Sequence, residues 1–170
     1  MKKIKKILVP VDFTEHSDRA VDLAADMAGA FHARITLLHV IEQFTYSVTD
    51  TILVVDHYRA LREVAEPLME GLQKKLIRRK MKVEAEIVRG NPAQQIIKKA
   101  RNQGSDLVIM GTRGRTGIKH VVLGSVAEKV VRLAPCPVVT VGPSPSGRKV
   151  NSGRKAARRK TIGRPSGKAA

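Results

Sequence analysis

The sequence predicts an α/β fold, a doubly wound five-stranded parallel sheet with helices on both faces. Three observations predict it. Short aliphatic runs such as Ile7–Val11, RITLLHVI (34–41), DLVIM (106–110) and PVVTV (137–141) read as strands covered on both faces. Segments with a helical apolar period separate them, giving strand–helix four times and then a fifth strand; right-handed crossovers wind such a chain into a parallel sheet. Finally, 42% of the 170 residues are hydrophobic but only 3% are aromatic, and Trp is absent, so Val, Ile, Leu and Ala must fill the core.

The first strand is expected over Lys5–Asp12. Ser17 is expected to cap a helix carrying Ala20, Leu23, Ala24, Met27, Ala28 and Phe31 on one side. Arg34–Ile41 follows as a second buried strand. Ile52–Val55 reads either as a short strand or as a packed loop. From Asp56 to Arg79, Leu61, Val64, Ala65, Leu68, Leu72 and Leu76 repeat every three to four residues as the inner face of a long helix, in which Pro67 would place a kink. KVEAEIV (82–88) alternates apolar and charged residues, as a strand near a sheet edge does. Gly90-Asn91-Pro92 makes a turn into a helix over Ala93–Gln103, ended by Gly104. After the strand Asp106–Met110, a Gly-rich loop leads to Gly124. Ser125 is expected to cap a helix to about Ala134, before the last strand, Pro137–Val141.

Beyond Gly142 the composition shifts to Pro, Ser, Gly, Ala and basic residues. Residues 143–170 hold nine Lys or Arg and no acid, so they carry about half of the net charge of +17 and leave +8 on residues 1–142. Such a segment cannot bury apolar surface and is expected to be a disordered basic tail behind one domain, residues 1–142. No apolar run reaches the ~18 residues of a membrane span. The basic N-terminus lacks the long apolar region of a secretory signal. Cys136 stands alone, which excludes an intramolecular disulfide; it reads as a buried structural thiol in a cytoplasmic protein.

In doubly wound sheets, ligands bind beyond the carboxyl ends of the strands where strand order reverses. Here that rule points to the ends of the first and fourth strands, near Asp12 and Gly111. Gly111-Thr112-Arg113-Gly114 leaves the fourth strand, and Gly124-Ser125 opens the next helix nine residues later. Glycines there let backbone approach an anion, and N–H groups at a helix start point at phosphate. The same residues also suit a plain turn followed by a helix cap. The loop is no Walker A motif, since Gly-Lys-Ser/Thr is missing, and no G-x-G-x-x-G follows the first strand.

The pattern Gly111-x2-Gly114-x9-Gly124-Ser125 resembles the ATP-binding signature of the universal stress protein family. MGTRGRTGIKHVVLGSVAEKVVRLAPCPVVTV (110–141) and ILVPVDFTEHSDRA (7–20) are similar to that family along their whole length, and the resemblance covers about residues 3–142. It implies an adenine-nucleotide alpha hydrolase-like sheet of order 3-2-1-4-5. It also implies ATP, or a related adenine nucleotide, as ligand, with Mg²⁺ arriving on the nucleotide. Pro10, Val11 and Asp12 would end the first strand, with Asp12 accepting from ribose hydroxyls. Main chain at Val40 would read the adenine edge, and Met110 would pack near the nucleoside. Gly111, Gly114, Gly124, Ser125 and Val126 would surround the phosphates, with charge added by Arg113 or Arg115. Homodimers would form through Pro137–Val141.

Little supports catalysis. His16, His32, His39, His57 and His120 are scattered without metal-ligand spacing. Only Asp12 is near the expected site, where phosphoryl transfer needs a base and metal-holding carboxylates. His39 reads as core or site lining, and His120 as a loop residue that is either solvent-exposed or near phosphate. The expected function is a nucleotide-binding stress or signalling protein that is not an enzyme. The alternatives are a weak ATPase or autophosphorylating enzyme, and a protein associated nonspecifically with nucleic acid through its tail; residues 143–170 equally suit an acidic surface or a solubilising role.

Overall fold

The computed structural model describes residues 3–42, 51–112 and 123–142. In chain order the elements are β1 (Lys6–Val11), α1 (Glu15–Phe31), β2 (Arg34–Glu42), α2 (Thr51–Arg78), β3 (Lys82–Gly90), α3 (Pro92–Asn102), β4 (Leu107–Gly111), α4 (Ser125–Leu133) and β5 (Val138–Val141). All pairings are parallel, in the order β3-β2-β1-β4-β5. The expected fold and strand order are therefore those observed.

Alternation along the strands divides the core. Ile7, Val9, Val11, Ile35 and Leu37 face α1 and α2, where Ala20, Val21, Ala24, Met69 and Leu76 are buried. Leu8, Leu38, Val108 and Met110 face Ala93, Ile96 and Ala100 of α3 and Ala127 and Val130 of α4. Small Ala residues on α1 let that helix lie close to the sheet. β3 lies at one edge, as its alternating sequence requires, and β5 at the other.

Four local expectations are corrected. Thr14, not Ser17, caps α1: it has extended backbone, and its Oγ1 accepts from Ser17 N–H at 3.4 Å. Ser17 is instead buried inside the first turns. Gly124 occupies the cap position of α4 with no side-chain bond, so Ser125 is the first helical residue rather than the cap. Ile52–Val55 belong to α2, which runs as one helix through Pro67. Within α2, Ala65, Met69 and Leu76 are buried, whereas Val64 and Leu68 are 64% and 46% exposed and do not belong to the core.

The last of these follows from length. A helix of 28 residues is about 42 Å long, while the nine residues of β2 span roughly 26 Å. The C-terminal half of α2 packs on the sheet through Met69, Leu72 and Leu76. Its N-terminal half passes the carboxyl ends of the strands and stands beside the site described next.

Candidate functional site

β1 pairs with β2 over all six residues, Lys6–Val11, but with β4 only at Ile7 and Leu8. The Lys5 carbonyl accepts from Arg34 of β2, and the Lys6 carbonyl from Asp106, next to β4. Because strand residues turn alternately to their two neighbours, the backbone of Pro10 faces β4. Proline has no N–H to offer there. Its presence in a central strand thus costs β1 no bond to β2 and helps leave the sheet open between β1 and β4. Strand order reverses at that point, and a cleft of about 490 Å³ opens there, a size that suits a small organic ligand.

Nine of the eleven residues expected at the site line this cleft. Pro10, Val11 and Asp12 come from β1 and its end, and Val40 from β2. Met110 and Gly111 come from β4, and Gly124, Ser125 and Val126 from the start of α4. The other two, Arg113 and Gly114, lie outside the described residues, as do Arg115 and His120. Val40 does not end its strand, which continues to Glu42.

The loop into α1 is shaped around Asp12. Its Oδ1 accepts from Thr14 N–H at 3.1 Å and from the Thr14 hydroxyl at 2.6 Å. Between them Phe13 adopts φ 63°, left-handed for a bulky residue and a strained conformation. That turn lays the Phe13 ring against His39, with centroids 4.5 Å apart. His39 is buried, and its Nδ1 lies 2.8 Å from the Val11 carbonyl. A carbonyl only accepts, so Nδ1 carries the proton of this bond. His39 therefore both lines the cleft and ties the ends of β1 and β2 together.

Packing leaves no room for a side chain at Gly111. A Cβ there would sit 2.9 Å from Cβ and 3.1 Å from the carbonyl carbon of His16, on α1. Beyond it, Thr112 N–H donates to Val141, and the Thr112 carbonyl accepts from Gly124 N–H at 2.7 Å, which closes the loop between β4 and α4 at its root.

Two features suit an anionic or polar ligand. The amino end of α4 opens on the cleft, and among the described residues no side chain caps it; N–H groups and a helix dipole at such an end favour an anion. Ser17, only 3% exposed, has a buried Oγ without a hydrogen-bond partner among the described residues, and Thr112 Oγ1 shares that state; both residues line the cleft. Buried hydroxyls normally find partners.

The sequence reading missed Phe13, Ser17 and Thr112 in the cleft, and it missed the wall that α2 contributes through Leu61, Val64, Ala65 and Leu68. A usable signal for that wall was the length of the helical phase, which exceeds any strand. No residue pattern announced the positive φ of Phe13. Cys136 is half-buried rather than buried, packed beside the α3–α4 core. Among the described residues, no three His, Cys, Asp or Glu side chains come together to hold a metal, and no helix is long and apolar enough to cross a membrane.

Comparison with known proteins gives these features a context. YxiE, a universal stress protein of Bacillus subtilis, is 31% identical over 144 residues, covering 80% of this chain and 97% of its own. The structure of MJ0577 from Methanocaldococcus jannaschii superposes with a TM-score of 0.77 at 33% identity, covering 85% of this chain and all of the other. A universal stress protein in complex with cAMP superposes with a TM-score of 0.64 at 20% identity, over 83% of this chain and 98% of the other, a likeness of fold. The model of the universal stress protein family matches residues 3–142, and the chain belongs to that family.

Proposed function

We propose that the cleft binds an adenine nucleotide, ATP or a close relative, and that the protein works as a cytoplasmic nucleotide-binding stress or signalling protein rather than as an enzyme. The observation that carries this reading is convergence. Residues from β1, β2, β4 and α4, scattered over 117 sequence positions from Pro10 to Val126, meet in one cleft where strand order reverses. The donor set fits the ligand. The start of α4 faces the phosphates, Asp12 takes the ribose hydroxyls, main chain at Val40 reads the adenine edge, and Met110 packs near the nucleoside. A family member in complex with cAMP supports the ligand class.

These groups hold a nucleotide and are poorly suited to consuming it. Among the described residues two carboxylates line the cleft: Asp12, whose Oδ1 is engaged by Thr14, and Glu42 at the end of β2. Mg²⁺ enters with the nucleotide, since its geometry is satisfied by phosphate oxygens and water. Equilibrium dialysis with labelled ATP, followed by analysis of the recovered nucleotide, tests the reading. Retention of intact ATP supports it. Steady turnover that disappears in Asp12→Ala would establish a weak ATPase instead.

The edge strand β5 is half-buried along its length. Edges of this kind are usually paired or covered, and a second copy paired there would give the homodimer. Sedimentation of the intact chain with Thr140→Pro, which denies the edge a donor, should yield monomers; an unchanged dimer would place the interface elsewhere.

A further inference from the structure

Among the described residues, three buried side-chain polar atoms have no hydrogen-bond partner: His16 Nδ1, Ser17 Oγ and Thr112 Oγ1. They gather at one place. A Cβ on Gly111 would touch His16, so the first turn of α1 and the end of β4 meet there, and Ser17 and Thr112 are the next residues along each segment. The Thr112 carbonyl accepts from Gly124 N–H at 2.7 Å, which brings the amino end of α4 to the same point. Of the three residues, Ser17 and Thr112 line the cleft, together with Gly124 and Ser125.

Packing does not account for the Ser17 hydroxyl. The buried face of α1 otherwise reads Ala20, Val21, Ala24, Ala25 and Ala28, and an alanine would fill the Ser17 position equally well. The Ser17 N–H donates to Thr14 Oγ1, while its own Oγ is left over in a residue only 3% exposed. A buried hydroxyl without a partner destabilises a fold, whereas an apolar group of the same shape does not. Thr112 repeats the pattern: its N–H and carbonyl are committed to Val141 and Gly124, and its Oγ1 is buried and unpaired among the described residues. Two hydroxyl donors therefore stand at the end of the cleft where α4 begins. The described lining of the cleft includes Asp12 and Glu42 but no Lys or Arg, so an anion there finds O–H and N–H donors rather than cationic side chains.

We propose, resting on the nucleotide reading of the cleft, that the Ser17 and Thr112 hydroxyls donate to phosphate oxygens of the bound nucleotide and set its affinity alongside the glycine pattern. The test pairs two measurements on Ser17→Ala and Thr112→Val in the full chain: thermal unfolding without ligand, and equilibrium dialysis with labelled Mg-ATP. Each variant should melt at the temperature of the unaltered chain or higher, because an unpaired hydroxyl has been removed. Each should bind ATP about tenfold more weakly, the loss expected for one hydrogen bond to a charged oxygen. Adenosine, measured by displacement of labelled ATP, should bind both variants as it binds the unaltered chain. Ser105→Ala is the contrast. That buried hydroxyl accepts from Gln103 Nε2 at 2.7 Å, so its removal should lower the melting temperature and leave ATP affinity unchanged. A lower melting temperature for Ser17→Ala would mean that its hydroxyl is already paired within the chain, and overturns its role. ATP affinity unchanged in both variants overturns the proposal and leaves the nucleotide reading standing. An equal loss for adenosine puts the contact on the nucleoside and overturns the phosphate assignment. Failure of the unaltered chain to bind ATP overturns the nucleotide reading itself, and this proposal with it.

Discussion

Gly111→Ala separates a glycine kept for packing from one kept for a ligand. The added methyl would lie 2.9 Å from His16 Cβ, 3.1 Å from its carbonyl carbon and 3.3 Å from its carbonyl oxygen. Two of these are backbone atoms of α1, whose Ala20, Val21 and Ala24 are buried against the sheet, so no flexible side chain can swing away. β4 or α1 must move by several tenths of an ångström. Overpacking of this kind costs about 1–3 kcal/mol. At roughly 2–4 °C per kcal/mol in a domain of this size, the melting temperature without ligand should fall by about 2–12 °C. The assay is thermal unfolding followed by far-UV circular dichroism, with urea unfolding to check that the m-value is unchanged. Gly71→Ala is the internal control: Gly71 lies inside α2 with nothing within 4 Å of its added Cβ. That change should raise stability by about 0.5–1 kcal/mol. An unchanged melting temperature for Gly111→Ala would refute the packing account and return that glycine to the ligand.

Further outcomes follow from single contacts. Asn91 Oδ1 accepts from Gln94 N–H at the start of α3, so Asn91→Ala should lose about 1 kcal/mol by the same melt. Leu38→Ala empties a fully packed position between β2 and the α3–α4 layer and should lose about 2–5 kcal/mol in urea unfolding. Val64→Asp should leave unliganded stability within about 0.5 kcal/mol, because Val64 is 64% exposed, yet weaken nucleotide binding measured by calorimetry through the cleft wall.

The fold was legible because its signals are redundant. Buried parallel strands announce themselves as aliphatic runs, and β3 announced its edge position by alternating Val83, Ala85 and Ile87 with charged residues. The helix starts were less legible. Thr14 and Ser17, or Gly124 and Ser125, are each plausible caps in composition, and the choice is made by backbone geometry: the extended residue is Thr14 in one case and Gly124 in the other. The α2 face misled for a related reason. Its apolar period does not distinguish a core from a cleft, and Val64 and Leu68 serve the cleft while Met69, one residue along, serves the core. The cleft itself followed from topology plus the glycine pattern. Its finer construction depends on Pro10 withholding a donor from β4 and Phe13 turning back onto His39, and both depend on contacts across the sheet that no local pattern contains.

The central claim, that this cleft holds an adenine nucleotide, is tested most directly by the melting temperature of the intact chain with and without Mg-ATP. Ligand at 100 times its dissociation constant adds about 2.7 kcal/mol, which at roughly 2–4 °C per kcal/mol corresponds to a rise of about 5–11 °C. Such a rise, absent with Mg²⁺ alone, is the predicted result. A melting temperature that does not move at millimolar Mg-ATP would contradict the account.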